Sequence, residues 1–398
     1  MSTRLATGNT YDNALNQLMT RQSQLSRLQE QMTASKRVLR PSDDPTGAAQ
    51  AERAQTRMAR VATDQRALEV QRNAVATAES TLGDAVTAMQ SFRTLVVQAG
   101  NPGLSATDRA SIAQQLSTLR DQLLGYANTK DSNGLPLFGG LGSTDAPFVD
   151  GGGAGVSYQG IAGQAATGEL AVPASLDGHA TWMDVPTGNG VFTVALGAGT
   201  SKVSSDAGKV TDPTALTGHG YRIEFSVNAG VTQYEVIDTT TNTAVQSAQP
   251  YKSGQAIGFD GLSLVASGTP AAGDSLEIAP STRTSLFGVL DQAIAGLRDA
   301  TGSSAVAQTV SQALSQIDAA SARLSATRGR AGDLLNRVDN ITDRQATRSL
   351  LLEADRSRAE DLDVVKALSE FKAKETAYSA ALGSYAQIQK LSLFNFLG

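Results

Sequence analysis

The chain of 398 residues contains no cysteine. That excludes disulfides, a thiol nucleophile and a zinc site built on sulfur. Its two histidines, His179 and His219, are too few to replace such a site alone. Charge is sparse as well, at 18% of residues, and Lys+Arg 33 against Asp+Glu 38 leaves −5 at pH 7. A nucleic-acid partner requires a basic field to neutralise phosphates, which this balance does not provide. No stretch reaches the roughly 18 apolar residues of a membrane span. The opening residues hold no apolar run that reads as a secretory signal peptide, so work outside a cell would require another export route. The composition points away from a cofactor, a nucleic-acid partner or a membrane partner.

What is present is unevenly distributed. Of 38 glycines, 25 lie between Gly134 and Gly273, and 8 of 11 prolines lie between Pro136 and Pro280. From Gly139 to Ser281 there are 4 Lys/Arg against 13 Asp/Glu, or −9, which leaves 29 minus 25, or +4, for the two ends. The middle is acidic and rich in turn residues, and the ends are slightly basic.

Both ends carry helical seams. Tyr11, Leu18, Leu25, Met32 and Leu39 recur every seven residues, and after Pro41 the series Val61, Leu68, Val75, Leu82, Met89, Val96 repeats that spacing. A third series runs through Val310, Ile317, Leu324, Ala331 and Val338, and continues less regularly through Leu362, Val365, Leu368, Phe371, Tyr378, Leu382 and Tyr385. Helix boundaries are equally legible. Asp44 before Pro45 reads as a cap ahead of a proline at the first helical position. That helix should end at Gly100-Asn101-Pro102-Gly103. Ser105 or Thr107 then caps a shorter helix with Ile112, Leu116, Leu119, Leu123 and Tyr126 on its apolar face.

In the centre the period changes to two. Tyr221, Ile223, Phe225 and Val227 alternate with polar residues, and Gly230 separates them from Val231 to Ile237, the pattern of a β-hairpin. Val191 to Leu196, Ile257 to Val265 and Leu276 to Ile278 are further short strand candidates. The expected fold class is α+β: long paired N- and C-terminal helices with an inserted antiparallel β domain. The divisions are 1–44, an N-terminal assembly helix; 45–138, helical; 139–284, the β-rich insert; 285–355, helical again; and 356–398, a C-terminal assembly helix. A chain that leaves a helical arm, folds a β domain and returns should have its two arms side by side. The first seam offers only about one large apolar residue per two turns, each contributing about 1.5 to 3 kcal/mol when buried. Seams this thin point to contacts made by neighbours.

Candidate chemical sites are weak. Asp43-Asp44 sits between two prolines, where capping explains it. The cluster Gly151 to Gly155 neither follows a strong strand nor opens a helix, as a dinucleotide loop requires. Gly208-Lys209 fails the phosphate-loop spacing. Asp238-Thr-Thr-Thr-Asn242 lacks calcium-loop spacing and reads as a turn. None of these patterns resembles an active site, and the chain reads as a non-enzyme.

Pro41-Ser42-Asp43-Asp44-Pro45-Thr46-Gly47-Ala48-Ala49, after a heptad arm, resembles a hallmark of the bacterial flagellar hook-associated protein 3 family, flagellin-like proteins of the hook-filament junction. Arg93 to Ala99, Asp108-Arg109, Ile112, Tyr126 to Thr129 and Asn133-Gly134 resemble the helices of flagellins in order, and Leu137-Phe138-Gly139-Gly140 resembles the hook-associated branch. Gly329-Arg330-Ala331-Gly332 with Asn336-Arg337, Ser357 to Asp363 and Leu391 to Leu397 are similar to the family's returning helix, last helix and apolar tail. The centre carries no such match.

The resemblance implies a structural subunit of the bacterial flagellum that adapts hook-associated protein 1 to the flagellin filament. It implies a ring of its own copies and an outward β domain. It further implies export through the flagellar type III apparatus to an extracellular position, with a chaperone on the C-terminal helix. The expected subunit-interface residues are Leu18, Leu25, Met32, Leu39, Leu362, Phe371, Tyr378, Leu382, Tyr385, Leu391, Leu393 and Phe394, with Asp43 and Asp44 shaping the elbow. Two other readings stay open: the flagellin filament subunit itself, and an enzyme or glycan-binding module in the centre.

Overall fold

The structure, a computed structural model, describes the backbone of residues 7–397 except 144 and 201, and side chains over 12–387 with the same two exceptions. Its long helices are α1 (Thr7–Ala34), α2 (Pro45–Ala99), α3 (Ala106–Ala127), α4 (Leu286–Asp299), α5 (Ser303–Glu360) and α6 (Val364–Leu397). The strands are β1 (Phe148–Asp150), β2 (Val156–Tyr158), β3 (Val185–Pro186), β4 (Phe192–Leu196), β5 (Val203–Ser205), β6 (Lys209–Val210), β7 (Tyr221–Asn228), β8 (Val231–Asp238), β9 (Thr243–Pro250), β10 (Ala256–Phe259), β11 (Leu262–Gly268), β12 (Ser275–Pro280) and β13 (Arg283–Thr284). The fold is α+β, as the two periods predict. The chain divides into a terminal unit, 1–66 with 342–398, and a central unit, 67–341.

In the central unit α2 and α5 run antiparallel, and the heptad residues fill the seam between them. Leu68, Val75, Leu82, Met89 and Val96 are buried, as are Ile317, Leu324, Ala331 and Val338. Register is set at the edges by Arg93 with Asp318 at 2.8 Å and Arg328 with Glu79 at 2.6 Å. Helix α3 begins with a capping box, Ser105 accepting from the Asp108 amide while Asp108 accepts from Ser105. Its Ile112, Leu116 and Leu123 are buried in the same core as Leu286, Phe287 and Leu290 of α4.

One buried charge joins these layers. Arg120 of α3 reaches Asp291 of α4 at 3.0 Å, Asp121 at 3.2 Å and, more closely still, Asp150 of β1. Against the opposing effect of burial, the hydrogen bonds it donates to these carboxylates hold its guanidinium firmly charged.

The first part of the glycine-rich stretch also belongs to this helical core. Trp182 stacks on Phe287 with ring centres 6.0 Å apart and meets Phe138 edge-on at 5.6 Å. The Leu137-Phe138-Gly139-Gly140 stretch has a steric cause: Leu137 and Phe138 are buried, and Gly140 turns at φ +67 where an added Cβ would lie 2.0 Å from the Ile161 carbonyl oxygen.

A second core forms from Phe192 onward. One sheet has the order β4-β12-β7-β8-β9, and in another β11 pairs with β10, β5 and β6. Between them lie Tyr221, Ile223, Phe225, Val236, Ile257, Leu264 and Ile278. The hairpin of β7 and β8 forms as its alternation predicts, although Val227 is exposed near the strand end. Ile257 to Val265, expected as one strand, is a hairpin that turns at Asp260 (φ 42) and Gly261 (φ 77). Helix α5 holds this region by polar side chains: Gln308 accepts from the Ser205 amide at 2.6 Å and donates to the Val194 carbonyl at 3.0 Å, and Ser315 donates to the Gly188 carbonyl at 2.9 Å.

Candidate assembly surface

In the terminal unit the two ends of the chain meet. Helix α1 packs along α6, antiparallel, with the Ser35 carbonyl accepting from the Leu362 amide at 3.2 Å and Arg21 donating to the Ala377 carbonyl at 3.2 Å. The sequence argument for neighbouring arms is met here.

The break between α1 and α2 is tied to the break between α5 and α6. Lys36 and Asp361 form an isolated antiparallel bridge, and the Arg37 amide donates to the Glu360 carbonyl at 2.7 Å. The Arg37 guanidinium donates to the Ala359 carbonyl at 2.6 Å and to Asp44 at 3.0 Å, while Lys36 pairs with Glu360 at 3.1 Å. Asp44 caps α2, accepting from the Gly47 amide at 2.9 Å and the Thr46 hydroxyl at 2.7 Å. Asp43 accepts from the Arg40 amide at 3.0 Å and from the Arg27 guanidinium. The Gly47 amide, followed by Thr46 and Arg37, holds the Asp44 carboxyl far below the usual range, and the Arg40 amide lowers that of Asp43. Gly47 leaves room for this cap, since a Cβ would lie 2.6 Å from Asp44 Oδ2 and 3.1 Å from the Ala359 carbonyl oxygen and would displace the capping carboxylate.

Around this joint the expected residues fall into three groups. Leu18 is buried; Leu25, Met32, Leu39, Leu362, Phe371, Tyr378 and Tyr385 are half-buried; Leu382 is 42% exposed. Leu18 and Tyr385 line one groove of about 500 Å3 between α1 and α6, whereas Leu39 and Asp43 line another of about 540 Å3 beside Met19 and Arg27. Leu391, Leu393 and Phe394, like the side chain of Tyr11, lie outside the described side chains.

Sequence reasoning missed Leu28 and Val38, which are buried, and Lys36 and Arg37, which build the joint with Glu360. Leu28 stands three residues after Leu25, the second apolar position of a heptad, and that spacing was the available signal. The unit also exposes large apolar side chains: Leu350 at 72%, Leu351 at 61% and Val365 at 79%, with Leu15, Met19, Val364 and Leu368.

Other candidate chemistry resolves into structure. Gly151 to Gly155 form the loop of the β1–β2 hairpin. Asp238 accepts from the Thr240 and Thr241 amides at 2.8 and 3.0 Å and meets His219 Nδ1 at 2.6 Å, so Asp238 to Asn242 is a turn, with Asp238 held at a pKa of about 2 against the opposing effect of burial by His219 and the turn amides. Among the described residues no group of three or more His, Asp or Glu is placed to hold a metal, and no helix is long and apolar enough to cross a membrane.

Paired terminal helices around a β insert are the plan of the flagellin-like proteins, and known families match in the same places. The model for the bacterial flagellin N-terminal helical region matches residues 5–143, and that for the bacterial flagellin C-terminal helical region matches residues 314–397. A crystal structure of flagellar hook-associated protein 3 from Legionella pneumophila is 31% identical and covers 77% of this chain and 98% of that one, with a TM-score of 0.71. A Xanthomonas campestris structure of the same kind, FlgL, is 29% identical over 77% of this chain and 99% of its own, with a TM-score of 0.69. Flagellar hook-associated protein 3 of Salmonella typhimurium is 34% identical over 197 residues, 48% of this chain and 56% of that protein. The chain spans about half the length of the curated relatives it matches. It belongs to the flagellar hook-associated protein 3 family. One expectation is corrected: the centre does carry a family match, since residues 198–280 match a D2-like domain of flagellar hook-associated protein 1.

Proposed function

We propose that the chain is a structural subunit of the hook-filament junction, joining hook-associated protein 1 to flagellin through its terminal helices, with copies of itself completing a ring. The observation that carries this reading is the terminal unit, a helix pair locked at one joint yet left with Leu15, Met19, Val364, Val365, Leu368 and Leu382 exposed. Apolar side chains in that density are partner surface. The interface residues are Leu18, Leu25, Met32, Leu39, Leu362, Phe371, Tyr378, Leu382, Tyr385, Leu391, Leu393 and Phe394, with Asp43 and Asp44 shaping the elbow, and the C-terminal helix is the seat of an export chaperone. The subunit performs no catalysis and works outside the cell after export through the flagellar apparatus. Deleting the gene tests it: hooks without filaments, and flagellin shed into the medium, are expected, and filaments that still hold on the hook defeat the reading. The flagellin alternative is separated by purified protein, which polymerises without limit if it is the filament subunit.

A further inference from the structure

The terminal unit carries a second surface away from the α1/α6 pair. On α2, Arg53, Arg57 and Arg60 recur at three- and four-residue spacing beside the buried Ala54 and Val61, so they share one flank. On α5, Arg344, Arg348, Leu351, Asp355 and Arg358 do the same beside the buried Gln345 and Leu352. The two flanks face one groove of about 400 Å3, lined by Arg53, Arg57, Leu352, Asp355 and Arg358 among others. Asp355 pairs with Arg358. Among the described residues, Arg53, Arg57, Arg60, Arg344 and Arg348 have no ion-pair partner, and Asp64 is the other carboxylate on that flank of α2. Unpaired guanidinium groups spaced along one groove repel one another and favour an acidic occupant. Leu351, exposed among them, offers that occupant an apolar contact.

A segment with the opposite character lies on the same chain. Asp361 and Asp363 are exposed, and Val364, Val365 and Leu368 follow them at 53%, 79% and 48% exposure. Asp363 caps α6 by accepting from the Val365 and Lys366 amides at 3.1 Å, whereas Asp361 joins the elbow through its backbone, stays exposed, and has Arg356 as a charged neighbour in its own chain with no direct ion pair between them. Lys366 falls about half a turn from Val364 and Leu368, off that face.

We propose that the arginine groove between α2 and α5 receives the Asp361–Leu368 segment of a neighbouring copy of this chain. The argument is complementarity: guanidinium groups around an exposed leucine meet carboxylates followed by exposed aliphatic side chains. Two different patches in contact make a head-to-tail interface, which closes into a ring or continues as a helix. The contact rests on the junction reading for the presence of neighbouring copies, and supplies the surface by which they meet.

The absence of cysteine makes the test direct. Full-length Arg57→Cys and Val365→Cys chains are expressed together in a strain deleted for the native gene, and isolated flagella are oxidised. A disulfide-linked dimer from the mixture, with each chain alone remaining monomeric, is expected. Normal filaments with no dimer overturn the contact, and so does a cross-link whose mass identifies a different protein as partner. In parallel, the triple variant R53E/R57E/R60E should lower the amount of chain in isolated flagella at least tenfold, and D361R added to it should recover most of that loss. No recovery, in chains that keep the wild-type melting temperature, overturns the charge pairing; if the triple variant melts lower, the cysteine pair decides. The two readings fail separately: a deletion strain that keeps its filaments defeats the junction reading, whereas a filament-less deletion strain with no cross-link defeats this contact alone.

Discussion

The central and terminal units use the same seven-residue spacing and finish it differently. Val75, Leu82, Met89 and Val96 are 0% exposed, each enclosed by α5 and its neighbours. Along α1 the same spacing leaves Leu18 buried and Leu25, Met32 and Leu39 half-buried, with Leu15 and Met19 exposed. A heptad therefore states that a helix has a partner without stating how many. In the central unit α3, α4 and the Trp182 segment complete the shell around the seam, and in the terminal unit the pairing of α1 with α6 leaves it open. Completion marks a core, and incompletion marks a place for other subunits.

Substitutions should expose this difference. Leu82→Ala removes side-chain volume from a site without exposure, and should cost about 2 to 5 kcal/mol in denaturant unfolding of the full chain. A loss under about 1 kcal/mol would mean the central seam is no better filled than the terminal one. Arg120→Ala should follow at about 2 to 3 kcal/mol, because it removes a buried guanidinium and leaves Asp150, Asp291 and Asp121 facing one another, while their partial exposure limits the penalty. Leu382→Ser should stay within about 0.5 kcal/mol in the free chain. It should nonetheless reduce incorporation into isolated flagella, and an equal loss in both measurements would make Leu382 a core residue.

The smallest effect belongs to the joint. Asp43 and Asp44 are lowered from their ordinary values, so their contribution is fully present above about pH 5 and is lost as the pH falls below about 4, towards their folded values. Hydrogen exchange at the Gly47 amide, compared with wild type, should be faster in Asp44→Ala and little changed in Asp44→Asn. Unchanged exchange in Asp44→Ala would remove the cap from the account of the elbow.

Much of this was legible because it is local. Asp44-Pro45, Ser105 with Asp108, and Gly100-Asn101-Pro102 announce helix ends within a few residues, and the structure places the ends there. The seam residues of α2 followed from period alone. The joint was only half legible. Asp44 announces a cap, but Arg37 meets the Ala359 carbonyl across 322 residues, and no local pattern encodes that meeting. The β10–β11 hairpin carried a readable Asp260-Gly261 turn signal inside an apolar run, and the continuity of the run masked it. Strand β9, exposed and polar from Thr243 to Pro250, has no alternation to read because it faces no core.

The joint also has a meaning in time. Its halves come from the first and last parts of the chain, so a chain appearing from its N-terminus holds Lys36 and Arg37 with nothing to grip until Ala359, Glu360 and Asp361 arrive. Closing so long a loop is among the entropically costly contacts of the molecule. The elbow thus acts as a register of completeness: a subunit missing either end keeps the residues of its central seam, yet cannot tie the break between α1 and α2 to the break between α5 and α6.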